Sequence, residues 1–154
     1  MAHDVAIEGL DVLTMDDCLR LLAGGQIGRV GFVESGHPQV LPVNYAADDN
    51  GAVVFRTAGQ SMLTHVAGHP VVFEVDGFDE RHHTGWSVCV HGLGREITDA
   101  DGPAPRRLHD LGVISWAPGQ RDHWFAIVAE KITGRRLPLA ANAANFGWVP
   151  GVVS

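Results

Sequence analysis

The residues best placed to do chemistry lie around one apolar run and the turn that follows it. Val53-Val54-Phe55-Arg56-Thr57 closes on a cation and a hydroxyl. Ala58-Gly59-Gln60-Ser61-Met62-Leu63 comes next, with a glycine for a turn and a serine where a helix N-cap belongs. Leu63 and Val66 then stand at helical spacing, so a short helix is expected over 61–68. A guanidinium, two hydroxyls and the free N–H groups of a helix start suit an anion, a phosphate above all. The expectation is a barrel of strands that holds a phosphorylated cofactor.

Other chemistries find little support. Nine histidines invite a metal reading. His65 and His69 are spaced i, i+4, but Gly68 and Pro70 bracket His69 and end any helix there. His82 and His83 are adjacent in a polar stretch, and neither a Cys-x-x-Cys nor a His-Glu-x-x-His motif occurs, so no metal is expected. No Gly-x-Ser-x-Gly elbow supports hydrolysis, and Gly25, Gly28 and Gly31 do not make a dinucleotide-binding fingerprint. No residue is assigned as a catalytic acid or base; His123, beside Trp124, is only a candidate.

The elements that must position these residues read mainly as strands with short helices. Residues 1–12 look like a lead-in. Thr14 can cap a helix that carries Asp16 and Asp17 in its first turn, buries Met15, Cys18, Leu19 and Leu22, and stops at Gly24-Gly25. Strands follow at 27–33, 39–46 and 53–57. Pro42 demands an edge or a bulge, and Asp48-Asp49-Asn50-Gly51 marks a hairpin. Strands at 71–76, 86–97 and 123–133 follow, with Gly92 and Gly94 as bend points, a polar loop over 77–84 and a short helix over 106–111. Val71, Phe73 and Val75 share one face. Residues 138–154 have no periodicity. Residues 1–137 are therefore read as one domain with a C-terminal tail at 138–154, and the six strands as a small antiparallel, Greek-key-like barrel with closed edges.

Composition narrows the class. Of 154 residues, 45% are hydrophobic and 19% charged, which fits a folded domain with a real core. A formal net charge of −7 argues against nucleic acid as a partner, because phosphate contacts need a basic face. No apolar run approaches a membrane span and the N-terminus lacks the pattern of a secretory signal, so no membrane partner is expected and a cytoplasmic location is the default. Cys18 and Cys89 are expected to be buried free thiols.

With the elements in order, the chain resembles the pyridoxamine 5′-phosphate oxidase-like proteins with an FMN-binding split barrel, in their actinobacterial branch. Gly28-Arg29-Val30-Gly31, Pro42-Val43-Asn44-Tyr45, Val54-Phe55-Arg56-Thr57, Phe73-Glu74-Val75-Asp76, Gly85-Trp86-Ser87-Val88 and Ile132-Thr133-Gly134-Arg135-Arg136 carry the resemblance. It implies a homodimer with two flavin sites at the subunit interface. It implies that Pro42, Val43 and Asn44 lie along the flavin ring, and that Phe55, Arg56 and Thr57 form the strand end facing the ribityl phosphate. Ser61, Met62 and Leu63 would start the phosphate-binding helix. Trp86 and Ser87 would reach the flavin, in many members from the other subunit, and Trp124 would stand near the ring. Many members carry lysine or arginine where this chain has Met62, so a phosphate here would depend on Arg56, hydroxyls and backbone donors. The deazaflavin F420 used by relatives is the alternative to FMN. The resemblance points to a flavin- or F420-dependent oxidoreductase acting on a small molecule; the alternative is a non-catalytic carrier or sensor of flavin, F420 or haem.

Overall fold

A computed structural model of the chain describes residues 9–58, 65–102, 107–120 and 123–138. Helix α1, Met15–Gly24, forms where the sequence places it. The Thr14 hydroxyl accepts the Asp17 N–H at 3.2 Å, and Asp16 and Asp17 meet the positive end of the helix dipole. Cys18 and Leu22 are its buried stripe; Leu19 is only half-buried and Met15 is exposed, so the apolar face is narrower than expected. Gly25 caps the other end, its N–H donating to the Leu22 carbonyl at 3.4 Å.

Seven strands follow the apolar runs: β1 (Asp11–Val12), β2 (Ile27–Glu34), β3 (His37–Ala47), β4 (Val53–Thr57), β5 (Pro70–Asp79), β6 (Thr84–Ile97) and β7 (His123–Leu137). All pairings between them are antiparallel. The order is β1-β7-β4-β3-β2-β5-β6, and β6 pairs back onto β7. Strands β2 to β7 thus close a six-stranded ring, with no open sheet edge running its full length. Strands β2, β3 and β4 meander, and β5 returns to lie beside β2, which is the Greek-key order. Alternate residues fill the ring: Val30, Val53, Phe55, Phe73, Val88 and Ile127 are all at 0% exposure. Tyr45 tilts over Phe73 and Phe55 stacks on Phe125, so aromatic rings fill the width of the barrel.

Four further expectations change. Asp11 and Val12 are not lead-in: they pair with Arg136 and Arg135 as strand β1, too short for any periodicity to show. The loop expected over 77–84 shrinks to a tight turn. The ladder continues through Gly77↔Trp86, Phe78↔Gly85 and Asp79↔Thr84, and the Asp79 carboxylate accepts the Arg81 and His82 N–H groups. The helix expected over 106–111 is a single turn at 107–109 among the described residues. Strand β7 runs on to Leu137, because Gly85 to Val88 of β6 pair with it there.

Two other features are as expected. Pro42 pairs with Arg29 on β2, while β4 pairs only with 45–47 of β3, so Pro42 sits on a local edge. The β6 ladder shifts register between His91 and Gly92, and Gly94 passes so close to the Val66 carbonyl that no side chain fits.

Candidate functional site

The site assembles where β3, β4 and β7 run side by side. Tyr45 of β3 pairs with Phe55 of β4, and the residues just beyond that rung are Asn44 and Arg56. Arg56 in turn pairs with Trp124 of β7, and Thr57 with His123. Strand alternation sorts the side chains. Phe55 and Thr57 point into the barrel, at 0% and 1% exposure. Asn44, Arg56 and Trp124 stand on the outer face. Pro42 is exposed beside them on β3, and Val43 packs inward against the core. The structure therefore brings Pro42, Asn44, Arg56 and Trp124 to one end of the outer face, while Val43, Phe55 and Thr57, from the same strand ends, turn to the inner side.

Arg56 and Trp124 form the centre of that face. The guanidinium lies over the indole, 4.9 Å from the ring centroid, and its Nη1 donates to the Val113 carbonyl at 3.5 Å. On the same indole, the His109 ring tilts at 38° with centroids 4.0 Å apart. His123 Nδ1 is 2.7 Å from Glu96 Oε1 on the neighbouring strand β6. A planar aromatic surface thus sits against a permanent cation, with the His109 imidazole on the same indole; by register His123 and Glu96 lie on the opposite side of the sheet.

The segment from the helical turn at 107–109 to Trp116, whose packing the sequence does not show, covers part of this face. Leu108 and Val113 pack with Val54, Ala126, Ile97, Ala46 and Trp124 in a second apolar cluster on the outside of the barrel. That cluster explains why Val54 is as buried as Val53, although the two face opposite ways. Beyond Val113 the chain is extended, and the Trp116 N–H donates to Asn44 Oδ1 at 2.9 Å. The Asn44 amide has a second partner in the Gln26 carbonyl, at 3.5 Å. Val113 is buried while Ile114 and Trp116 are 76% and 63% exposed. The only sequence signal was an apolar Val113-Ile114 pair in a stretch without period.

Other expected residues lie elsewhere. Trp86 and Ser87 belong to the opposite end of β6, where Trp86 pairs with Arg136 and Ser87 with Arg135, whereas Ile97 at the near end pairs with Trp124. Trp86 packs on Gly77 and the main core and lines an open depression of about 380 Å³ with Phe78, Arg136 and Leu137. Ser87 is on the other face of the strand. Ser61, Met62 and Leu63 fall outside the described residues.

Among the described residues, no three His, Cys, Asp or Glu side chains gather as a metal site. His65 instead pairs with Glu34 at 3.3 Å and His82 with Asp79 at 2.8 Å. Both cysteines are free thiols. Cys18 is buried as expected and Cys89 only half-buried; desolvation pushes both thiols above their ordinary range. Where β6 ends, Asp101 is held down at about 2 by the Thr98 hydroxyl and N–H and by Arg95.

The chain belongs to the pyridoxamine 5′-phosphate oxidase family: the family model matches residues 14–136, and the closed antiparallel ring is its split barrel. An uncharacterized protein of Mycobacterium tuberculosis is 36% identical over 133 residues, covering 81% of this chain and 84% of that one. Among solved structures, an FAD-binding protein of Mycobacterium smegmatis is 26% identical with a TM-score of 0.63, covering 82% of this chain and 97% of its own. A conserved protein of unknown function from Corynebacterium diphtheriae is 28% identical with a TM-score of 0.67, covering 83% and 98%. Among the described residues, no helix is long and apolar enough to cross a membrane.

Proposed function

We propose that this protein binds a flavin on the outer face of β3, β4 and β7 and is an oxidoreductase acting on a small molecule. The observation that carries the reading is the convergence of Pro42, Asn44, Arg56 and Trp124 on that face, in a chain of this family, with Val43 packed beneath them. The donor set fits the group. Among the described residues, 38–44 of β3 have no strand on the β4 side, so backbone groups there are available to the polar edge of an isoalloxazine ring. Trp124 offers an aromatic surface, and Arg56 a cation for a phosphate. Phe55 and Thr57 support the strand end from inside the barrel. Ser61, Met62 and Leu63 would add the hydroxyl and backbone donors of the helix start. The FAD-binding relative from Mycobacterium smegmatis supports a flavin over haem. FMN is the proposed form, with F420 as the alternative.

A bound flavin would supply the hydride or electron transfer. The chain's own task is to orient the ring, screen it from water, and hold a proton near it. No residue is assigned to that last role: His123 pairs with Glu96 at 2.7 Å, but by register both lie on the side of Thr57 and Phe125, opposite Trp124.

Trp86 and Ser87 lie too far round the barrel to join this face within one chain, so their flavin role requires a second copy. We accordingly propose a homodimer with the domain at 1–137 and the tail at 138–154, working in the cytoplasm.

Absorbance spectroscopy of the purified protein, followed by titration with FMN, FAD and F420, tests the reading. The expected outcome is saturable binding of FMN with perturbed flavin bands. A Soret band with no flavin binding would replace the flavin by haem. Binding without turnover under a reductant would leave a carrier instead of an enzyme.

A further inference from the structure

We infer that Trp116 is a wall of the flavin site and stacks on the bound ring, with Asn44 as the residue that positions it. This rests on the flavin reading above. Three observations converge on it. Trp116 is anchored through its backbone to Asn44, a residue of the same outer face, by the 2.9 Å bond from its N–H to Oδ1. The preceding Val113 is fixed twice, by burial among Val54, Ile97 and Ala126 and by its carbonyl accepting from Arg56. Over this segment Val113 is buried while Ile114 and Trp116 are exposed, which leaves the Trp116 indole 63% exposed.

The Trp116 backbone is tied to Asn44 while its indole is exposed, and among the described residues the indole makes no ring contact. The chemistry that such a ring recognises is a flat, electron-poor heteroaromatic, and isoalloxazine is one. The Asn44 amide need not give up its bond to Trp116 to serve a ligand, because a carboxamide oxygen has a second lone pair and the nitrogen two donors.

The test uses riboflavin, which has the ring without the phosphate, and the full-length protein. Trp116→Leu should weaken riboflavin binding roughly three- to tenfold, the effect of losing one aromatic stacking partner. It should also raise the fluorescence of bound riboflavin, since a stacked indole quenches an excited flavin by electron transfer. Trp116→Phe should restore the affinity to within about twofold, because the ring face remains, while the quench stays reduced. Asn44→Leu should also weaken riboflavin binding, and adding it to Trp116→Leu should cost less than the sum of the two single losses, because part of each loss is the contact they share. Both sites are at the surface, and an unchanged melting temperature confirms that each variant folds. Unchanged affinity and unchanged quenching in Trp116→Leu overturn the inference and leave the flavin reading standing. Additive losses in the double variant overturn the positioning role of Asn44. A wild-type protein that binds neither riboflavin nor FMN overturns both the flavin reading and this inference.

Discussion

In the proposed site a single side chain, Arg56, serves structure and ligand together. Its guanidinium stacks on Trp124 and reaches the Val113 carbonyl, so its position is set before any ligand arrives. A preset cation loses little entropy on meeting a phosphate. Arg56→Ala should therefore weaken FMN binding about ten- to a hundredfold, the equivalent of about 1.5–3 kcal/mol for one charge-assisted hydrogen bond. Riboflavin, lacking the phosphate, should lose far less, and parallel fluorescence titrations compare the two. Equal losses would make Arg56 a packing residue. Tyr45 is the second residue with a readable consequence. Its hydroxyl is buried and donates to the Leu22 carbonyl, and burial pushes its pKa from 10.0 up to about 12. Between those values the unfolded chain releases the proton and the folded chain keeps it, so the folded state binds more protons. Stability from this group is complete below pH 10 and falls as pH rises towards 12. Tyr45→Phe should be less stable than wild type at pH 7 by about 0.5–1.5 kcal/mol, for the lost hydrogen bond. It should also lose less stability between pH 9 and about 11, which urea unfolding at the two pH values measures.

At the scale of elements, β6 is the strand on which the barrel closes. It pairs with β5 along one side and β7 along the other, and it bends at the register shift after His91. Gly94 then lies against both the carbonyl and the side chain of Val66, close enough that a Cβ must push one of them aside. Gly94→Ala should destabilise the fold by about 1–3 kcal/mol, the usual cost of overpacking a tight contact, and lower the melting temperature in thermal unfolding. A variant as stable as wild type would mean that β6 gives way there easily. The strands were legible because β-branched and aromatic residues recur at period two between clear turns, as in Val71, Phe73 and Val75, all buried. The Thr14 cap and the Gly24-Gly25 stop were legible for similar local reasons. What stayed hidden was settled by long-range pairing. Asp11 and Val12 form a strand only because Arg135 and Arg136 supply a partner. The wall at 113–116 is extended without alternating polarity, and its anchors, Asn44 and Arg56, are roughly sixty to seventy residues earlier in the chain. Of the proposed site, Arg56 stands out in the sequence by its own pattern, and Asn44 and Trp124 enter through the family resemblance. That Phe55 and Thr57 turn inward, away from them, follows from register, which sequence alone does not fix.

The whole molecule leaves an outer surface that a lone barrel has no use for. On β2 and β3 the outward positions include Ile27, Val33 and Val40, the last two at 60% and 65% exposure, beside Pro42 and close to Trp116. Apolar side chains gathered on one sheet face mark a surface that associates, and identical chains meet most simply about a two-fold axis. On β2, Arg29 bonds to Glu74 at 3.0 Å and Asp76 at 3.1 Å of β5, so the same face also carries both signs of charge and can be complementary to its own copy. If Trp86 and Ser87, at the far end of β6, take the flavin role the family resemblance implies, such pairing has a reason, since a second chain would have to bring them to the proposed face. Light scattering at micromolar concentration should therefore give twice the mass of the 16.5 kDa chain. Val40→Lys places a charge in the middle of the patch without touching the barrel interior, and it should shift the protein towards the single-chain mass while circular dichroism stays that of a folded barrel. Flavin affinity should fall with it, because half of each shared site would leave. A Val40→Lys monomer that binds FMN as tightly as wild type would show that one chain holds the whole site, and Trp86 and Ser87 would then have no part in it.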